Sequence, residues 1–235
     1  MRYDPALQPK ATPMAPSIAP RIDVVSDAIC PWCYIGKRQL ERALTLLPAE
    51  LPRFEVAWHP FQLNPDMPAE GWDRKEYRIA KFGSWEKSQE LDARITETAA
   101  GIGLTFHLDR LTRTPNTVNA HRAIWLAGQH GVQDAVVEAL FRLYFVEGGD
   151  LGDTALLTET AAAAGLDRAA LEAMYAGDEG REVVLRGDAA ARQGGISGVP
   201  SFLMGGYLLF SGALPAEQMA DAFAHAWQVL STRAA

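Results

Sequence analysis

Cys30 and Cys33 are the only two cysteines in 235 residues, and they sit three apart in the run Asp27-Ala28-Ile29-Cys30-Pro31-Trp32-Cys33. Two thiols at this spacing form a reversible disulfide with little backbone movement, which is redox chemistry. Pro31 suits the first turn of a helix, where its missing N–H costs nothing. Cys30 then falls at the N-cap, where unpaired backbone N–H groups and the helix dipole place partial positive charge. A Cys-x-x-Cys thiol so placed titrates roughly between 3.5 and 7.5, against about 8.5 for a free cysteine. Cys33, one turn inward, begins an apolar stripe and is expected to be more buried and less acidic. The roles follow: Cys30 attacks or is attacked, and Cys33 resolves the mixed disulfide. Pro31 and Trp32 tune the poise. A protonated histidine between the sulfurs would make the disulfide strongly oxidising, so its absence predicts a milder oxidant.

Two blander readings compete. A zinc site would need two further ligands, but there is no third cysteine, and His59, His107, His121, His130 and His225 show no metal-ligand spacing. No metal is expected. Inert core thiols are also disfavoured, because proline-flanked cysteines at a helix start are poorly placed for burial. Gly198-Val199-Pro200 is the second feature, since Pro200 immediately precedes a strand. A cis Val199–Pro200 bond would bare the Val199 backbone as a short edge for an extended peptide. From sequence alone, about 5–6% of X-Pro bonds are cis. Asp27, Asn116 and His121 are auxiliary candidates. Asp27 could relay the resolving thiol's proton or serve as a turn carboxylate. Asn116 and His121 lie near the start of one helix and could contact substrate, against a helix-capping Asn and an ordinary half-buried His. Trp32, Tyr34, Trp58 and Phe61 could line a groove, with core packing the default for the last two.

These residues need elements to position them. Ile22-Asp23-Val24-Val25 is β-branched and predicts a strand. Cys33, Gly36, Leu40, Leu44 and Leu47 recur at helical spacing, with Lys37, Glu41 and Arg42 off the stripe. Phe54, Val56 and Trp58 alternate with polar or small residues and predict a second strand, parallel to the first. From about Trp72 to Arg192 the chain is helix-rich, punctuated by Gly101, Gly103, Gly148, Gly149 and Gly165. Residues 201–204 and 207–210 flank Gly205-Gly206 as a two-residue hairpin. Pro215 opens a last helix with Met219, Phe223, Ala226 and Leu230 on one face. Two distant pieces of chain thus make one sheet. The expected organisation is a Pro-rich leader over 1–20, an α/β domain from 21–65 and 193–235, and an inserted helical domain over 66–192.

Hydrophobic residues make up 48% and charged residues 22%, so the core must be hydrophobic and the thiols are free for chemistry. Net charge is −7 without a basic stripe, which argues against nucleic acid and anionic membrane as partners. No apolar run reaches a membrane span, and the leader lacks the apolar stretch of a secretory signal, so a cytoplasmic location is expected.

Cys30-Pro31-Trp32-Cys33-Tyr34-Ile35-Gly36, the interrupted β-α-β…β-β-α order and Gly198-Val199-Pro200 together resemble the DsbA-like thiol–disulfide oxidoreductases. Pro115-Asn116-Thr117, Ala120-His121-Arg122 and the run from Trp58 to Pro65 are most similar to their FrnE-like branch. The resemblance covers roughly residues 21 to 230. It implies a thioredoxin-like fold with an inserted all-helical domain, a cis Pro200 beside the Cys30–Cys33 pair, substrate contact at Val199 and Pro200, and Cys30 as nucleophile. Trp32 departs from the periplasmic DsbA enzymes, which carry histidine there.

The leading reading is a dithiol–disulfide oxidoreductase acting on protein or small-molecule thiols and disulfides, with no bound cofactor. The second is a glutathione-dependent transferase or isomerase of the kappa-class or hydroxychromene carboxylate isomerase type, relatives that use serine at the Cys30 position. Glutathione would then be a co-substrate and Cys33 dispensable. The third is a chaperone-like binding module using the groove beside Val199, indifferent to either cysteine.

Overall fold

The computed structural model describes residues 20–233. The leader expected over 1–20 lies outside them apart from Pro20, whose carbonyl accepts a hydrogen bond from Glu55 N at 2.8 Å. In chain order, β1 (Arg21–Ser26), α1 (Pro31–Leu46) and β2 (Glu55–Pro60) come first. A long helical passage follows: β3 (Trp72–Asp73), α2 (Arg74–Phe82), α3 (Trp85–Ala100), β4 (Arg113–Thr114), α4 (Val118–Gln129), α5 (Gln133–Arg142), α6 (Thr154–Ala163), α7 (Arg168–Ala176) and α8 (Arg181–Gln193). The chain closes with β5 (Ser201–Met204), β6 (Tyr207–Ser211) and α9 (Ala216–Arg233).

The main sheet has the order β2-β1-β5-β6. β1 runs parallel to β2 and antiparallel to β5, so strands from both ends of the chain meet at β1. Ile22, Val24 and Val25 are all buried, because β1 is covered on both faces. The β5–β6 hairpin turns through Gly205 and Gly206 at φ 57° and 83°, a conformation that a two-residue hairpin requires and glycine permits. On one side α1 packs against α9, where the predicted stripe of Met219, Phe223, Ala226 and Leu230 is buried. Phe202, Phe210 and Phe223 fill the space beneath, with Phe202 and Phe210 stacked at 4.8 Å.

An aromatic stack ties α1 to the helical passage. Tyr34 lies 5.0 Å from Phe141 on α5 and 5.8 Å from Phe106. Phe145 joins them from a π-helical turn at Leu143–Glu147 that follows α5. The strands β3 and β4, only two residues each, pair antiparallel and were absent from the periodicity because two residues carry none. A second departure concerns Lys37. The stripe places it outside the core, yet it is 1% exposed. The reason is tertiary: α5 crosses this face of α1 and brings Asp134 to 3.1 Å and Glu138 to 3.3 Å from its ammonium, with Glu41 completing the set. Burial opposes the Lys37 charge, but Asp134, Glu41 and Glu138 outweigh it and hold its pKa above the usual value.

Candidate active site

β1 ends at Ser26, and the chain turns sharply into α1. Cys30 N donates to Asp27 O at 3.0 Å, and Cys30 O accepts from Cys33 N at 3.0 Å, which starts the helix. Cys30 is its N-cap, with extended backbone (φ −89°, ψ 111°) and Pro31 behind it. Both cysteines are free thiols, and they approach to 3.4 Å. The helix therefore presents its positive end at Cys30 while holding Cys33 within bonding reach.

Cys30 is more deeply placed than its flanking proline suggested, at 3% exposure. Val199 approaches from the β5 side, and Cys30 Sγ donates to Val199 O at 3.5 Å. The Val199–Pro200 peptide bond is cis. Gly36 sits against the Pro200 ring, where a β-carbon would come within 2.9 Å of Cγ. Trp32, at 41% exposure, is the open side of the site, and Pro31 is half-buried.

Cys33 is fully buried. Burial pushes its thiol pKa well up, and the neighbouring Cys30 sulfur adds to this. Hydrogen bonds involving the Ser26 side chain and the Asp27 backbone pull the other way without reversing the shift. Ser26 is a buried polar side chain ending an apolar strand, which is the one sequence signal that marks it.

Asp27 is wholly buried at the end of the same strand. Its Oδ2 accepts from Leu63 N at 2.7 Å. Its Oδ1 lies 3.3 Å from His121 Nε2, which is also 3.1 Å from Phe61 O. Two acceptors converge on that nitrogen, so Nε2 carries a hydrogen. Asp27 and His121, 94 residues apart, are thus a buried pair, and the Asp27 backbone hydrogen-bonds Cys33. Asn116 is elsewhere engaged: its Nδ2 donates to Met67 O at 2.7 Å and its Oδ1 accepts from Val118 N at 3.0 Å. It clips the start of α4 to the loop after β2, and both ends of its amide are occupied.

Among the described residues no group of three or more His, Cys, Asp or Glu side chains could hold a metal ion, and no helix is long and apolar enough to cross a membrane.

The arrangement has relatives. A probable DsbA oxidoreductase from Streptomyces coelicolor superposes with a TM-score of 0.79 at 32% identity, covering 88% of this chain and 90% of that one. The Bacillus subtilis (strain 168) protein YwbO, itself uncharacterized, is 28% identical over 188 residues, 78% of this chain and 86% of its own. The cytosolic disulfide reductase DsbM from Pseudomonas aeruginosa, in a structure with GSH, shares the fold at 21% identity and a TM-score of 0.60, covering 89% of this chain and 98% of that one. The profile of the DSBA-like thioredoxin domain matches residues 21–224. That span takes in the strand ending at Ser26, the helix opening at Cys30 and the turn holding Pro200, and the chain belongs to the DSBA-like thioredoxin domain family.

Proposed function

We propose that the protein is a dithiol–disulfide oxidoreductase working through Cys30 and Cys33. The observation that carries this reading is the pair itself: two free thiols 3.4 Å apart at a helix N-terminus, the first of them bonded to Val199 O. In the reducing direction the Cys30 thiolate attacks one sulfur of a substrate disulfide. A Cys30–substrate bond forms, and the other substrate sulfur leaves as a thiolate. Cys33 then attacks the Cys30 sulfur, the substrate's second thiolate departs, and the Cys30–Cys33 disulfide remains. Two electrons pass from the protein to the substrate, and an external thiol such as glutathione returns them. The Asp27 carboxylate, on the residue whose backbone bonds Cys33, accepts the proton that Cys33 must lose. A peptide substrate lies extended along the Val199 backbone, next to Pro200 and the exposed Trp32.

A reducing, cytoplasmic setting suits this direction. No cation lies between the sulfurs to favour a strongly oxidising disulfide, and the neighbour DsbM is by name a cytosolic disulfide reductase. Insulin reduction tests the proposal. Cys30→Ser should abolish it, and Cys33→Ser should accumulate a mixed disulfide with substrate. Full activity in Cys30→Ser would end this reading. Glutathione-dependent turnover that survives Cys33→Ser would instead support the transferase reading, to which the DsbM structure with GSH lends weight.

A further inference from the structure

His121 leaves one ring nitrogen unused. Its Nε2 carries the hydrogen and turns inward to Asp27 Oδ1 and Phe61 O. Nδ1 therefore bears a lone pair and can only accept. It makes no hydrogen bond among the described residues, yet it is not sealed off: the buried side-chain nitrogens and oxygens without partners there are Arg74 Nε and Thr114 Oγ1 alone. The ring is 3% exposed and lines an open cleft of about 390 Å³ between β2, α4 and α8. That volume is within the range of small-molecule sites. A deeply placed acceptor on the wall of such a space is where a ligand's donor belongs.

The lining narrows the chemistry. Ile124, Trp125, Val183 and Val184 give the walls an apolar surface. No Asp, Glu, Lys or Arg is among the described residues that line it, so an ionic ligand would lose water without meeting a counter-charge. His59 lies at the rim with its Nε2 held 2.7 Å from Asp23 Oδ1, so a charge on that ring is already matched. Gln133 is spent on the edge of β2: its Oε1 accepts from Trp58 N at 2.9 Å and its Nε2 donates to Trp58 O at 3.0 Å. That leaves His121 Nδ1 as the inward polar anchor, with Gln129 exposed at the mouth. An amide would bring a second N–H and a carbonyl into apolar walls, whereas a phenolic hydroxyl brings a single donor. We propose that this cleft binds a small uncharged aromatic alcohol, with the hydroxyl donating to His121 Nδ1 and the ring against Ile124, Trp125 and Val183. None of Cys30, Cys33, Val199 and Pro200 lines it, and the assignment stands without the redox reading.

Titration of the full chain with naphthol, its methyl ether and naphthoate tests the proposal, read by calorimetry and by nitrogen NMR of the His121 ring. Naphthol should bind and shift the Nδ1 resonance. The methyl ether has no hydrogen to donate, so it should bind about tenfold more weakly and leave that resonance in place. Naphthoate should not bind. His121→Phe risks the fold through Asp27, so the variant of choice is Val183→Trp, at a 43% exposed position on the cleft wall. It should abolish naphthol binding with the urea unfolding midpoint unchanged. Ether binding as tight as naphthol binding, binding of naphthoate, an Nδ1 resonance that does not move, naphthol binding that persists in Val183→Trp, or no binding at all would each overturn the assignment.

Discussion

Gly36 and Pro200 are in van der Waals contact across 164 residues of sequence: a β-carbon at position 36 would lie 2.9 Å from Pro200 Cγ and 3.5 Å from the Phe202 ring. Gly36→Ala tests this contact. Alanine in a helix interior is worth about 1 kcal/mol over glycine, but overpacking a rigid ring costs about 1–3 kcal/mol. The expected net is a loss of about 1 kcal/mol, read by urea unfolding. Turnover should fall as well, because the shift in Pro200 carries the Val199 carbonyl away from Cys30. A variant as stable and active as the parent would show that the contact yields freely.

The raised pKa of Cys33, caused first by burial and then by the Cys30 sulfur, makes a pH prediction. The folded dithiol keeps this proton at pH values where an unfolded thiol, near 8.5, has lost it. The stability Cys33 contributes is thus complete below about pH 8.5 and declines above it, by up to about 1.4 kcal/mol per pH unit until the folded pKa is reached. Unfolding of reduced protein should lose stability between pH 8.5 and 10 more steeply than Cys33→Ala. Parallel curves for the two proteins would mean that the thiol is not held protonated by the fold.

Asp27→Asn should separate the two chemical steps. Asparagine keeps an acceptor for Leu63 N but cannot take a proton. In single-turnover experiments Cys30 should attack at its normal rate, while resolution by Cys33 slows by about a hundredfold, the low end for loss of a general base. Mixed disulfide would accumulate, and raising the pH should relieve the block. If resolution keeps its rate and pH profile, the Asp27–His121 pair is only structural.

Lys37→Met removes the cation from a cluster of three carboxylates. Breaking a buried ion pair costs about 3–5 kcal/mol, and the exposure of Glu41 and Asp134 points to the low end, about 3 kcal/mol at pH 7. Burial pushes the Glu138 carboxyl up, but hydrogen bonds from Arg38 and Tyr34 and the Lys37 charge outweigh it and hold the pKa low. Its stabilisation is therefore present above the ordinary carboxylate range and lost as pH falls through the lowered value. The gap between parent and variant should narrow on acidification. A gap of the same size at pH 3 and pH 7 would contradict the charge account.

What the sequence made legible was local. Cys-x-x-Cys with Pro31 placed the helix start, Gly205-Gly206 placed the hairpin, and the stripe from Met219 to Leu230 placed the last helix, because each is decided by a few neighbouring residues. Asp27 and His121 were recognisable singly, but their meeting depends on how α4 lies over β2. The same holds for Cys30, whose hydrogen-bond partner Val199 lies 169 residues on, and for Lys37, which is enclosed by a helix nearly a hundred residues later. Periodicity registers which residues prefer the interior; it is silent on which polar residues a distant element will enclose.

The pairing of β1 with β5 also has a temporal side. Val25 sits opposite Ser201, and the Val199 carbonyl that accepts the Cys30 hydrogen bond lies 169 residues after the cysteine itself. While a copy is being synthesised, both thiols emerge before that neighbour and remain without it until the segment leading into β5 is delivered. A nascent chain that stops short of Val199 carries both thiols but not that carbonyl, so the arrangement is complete only once this residue has been made.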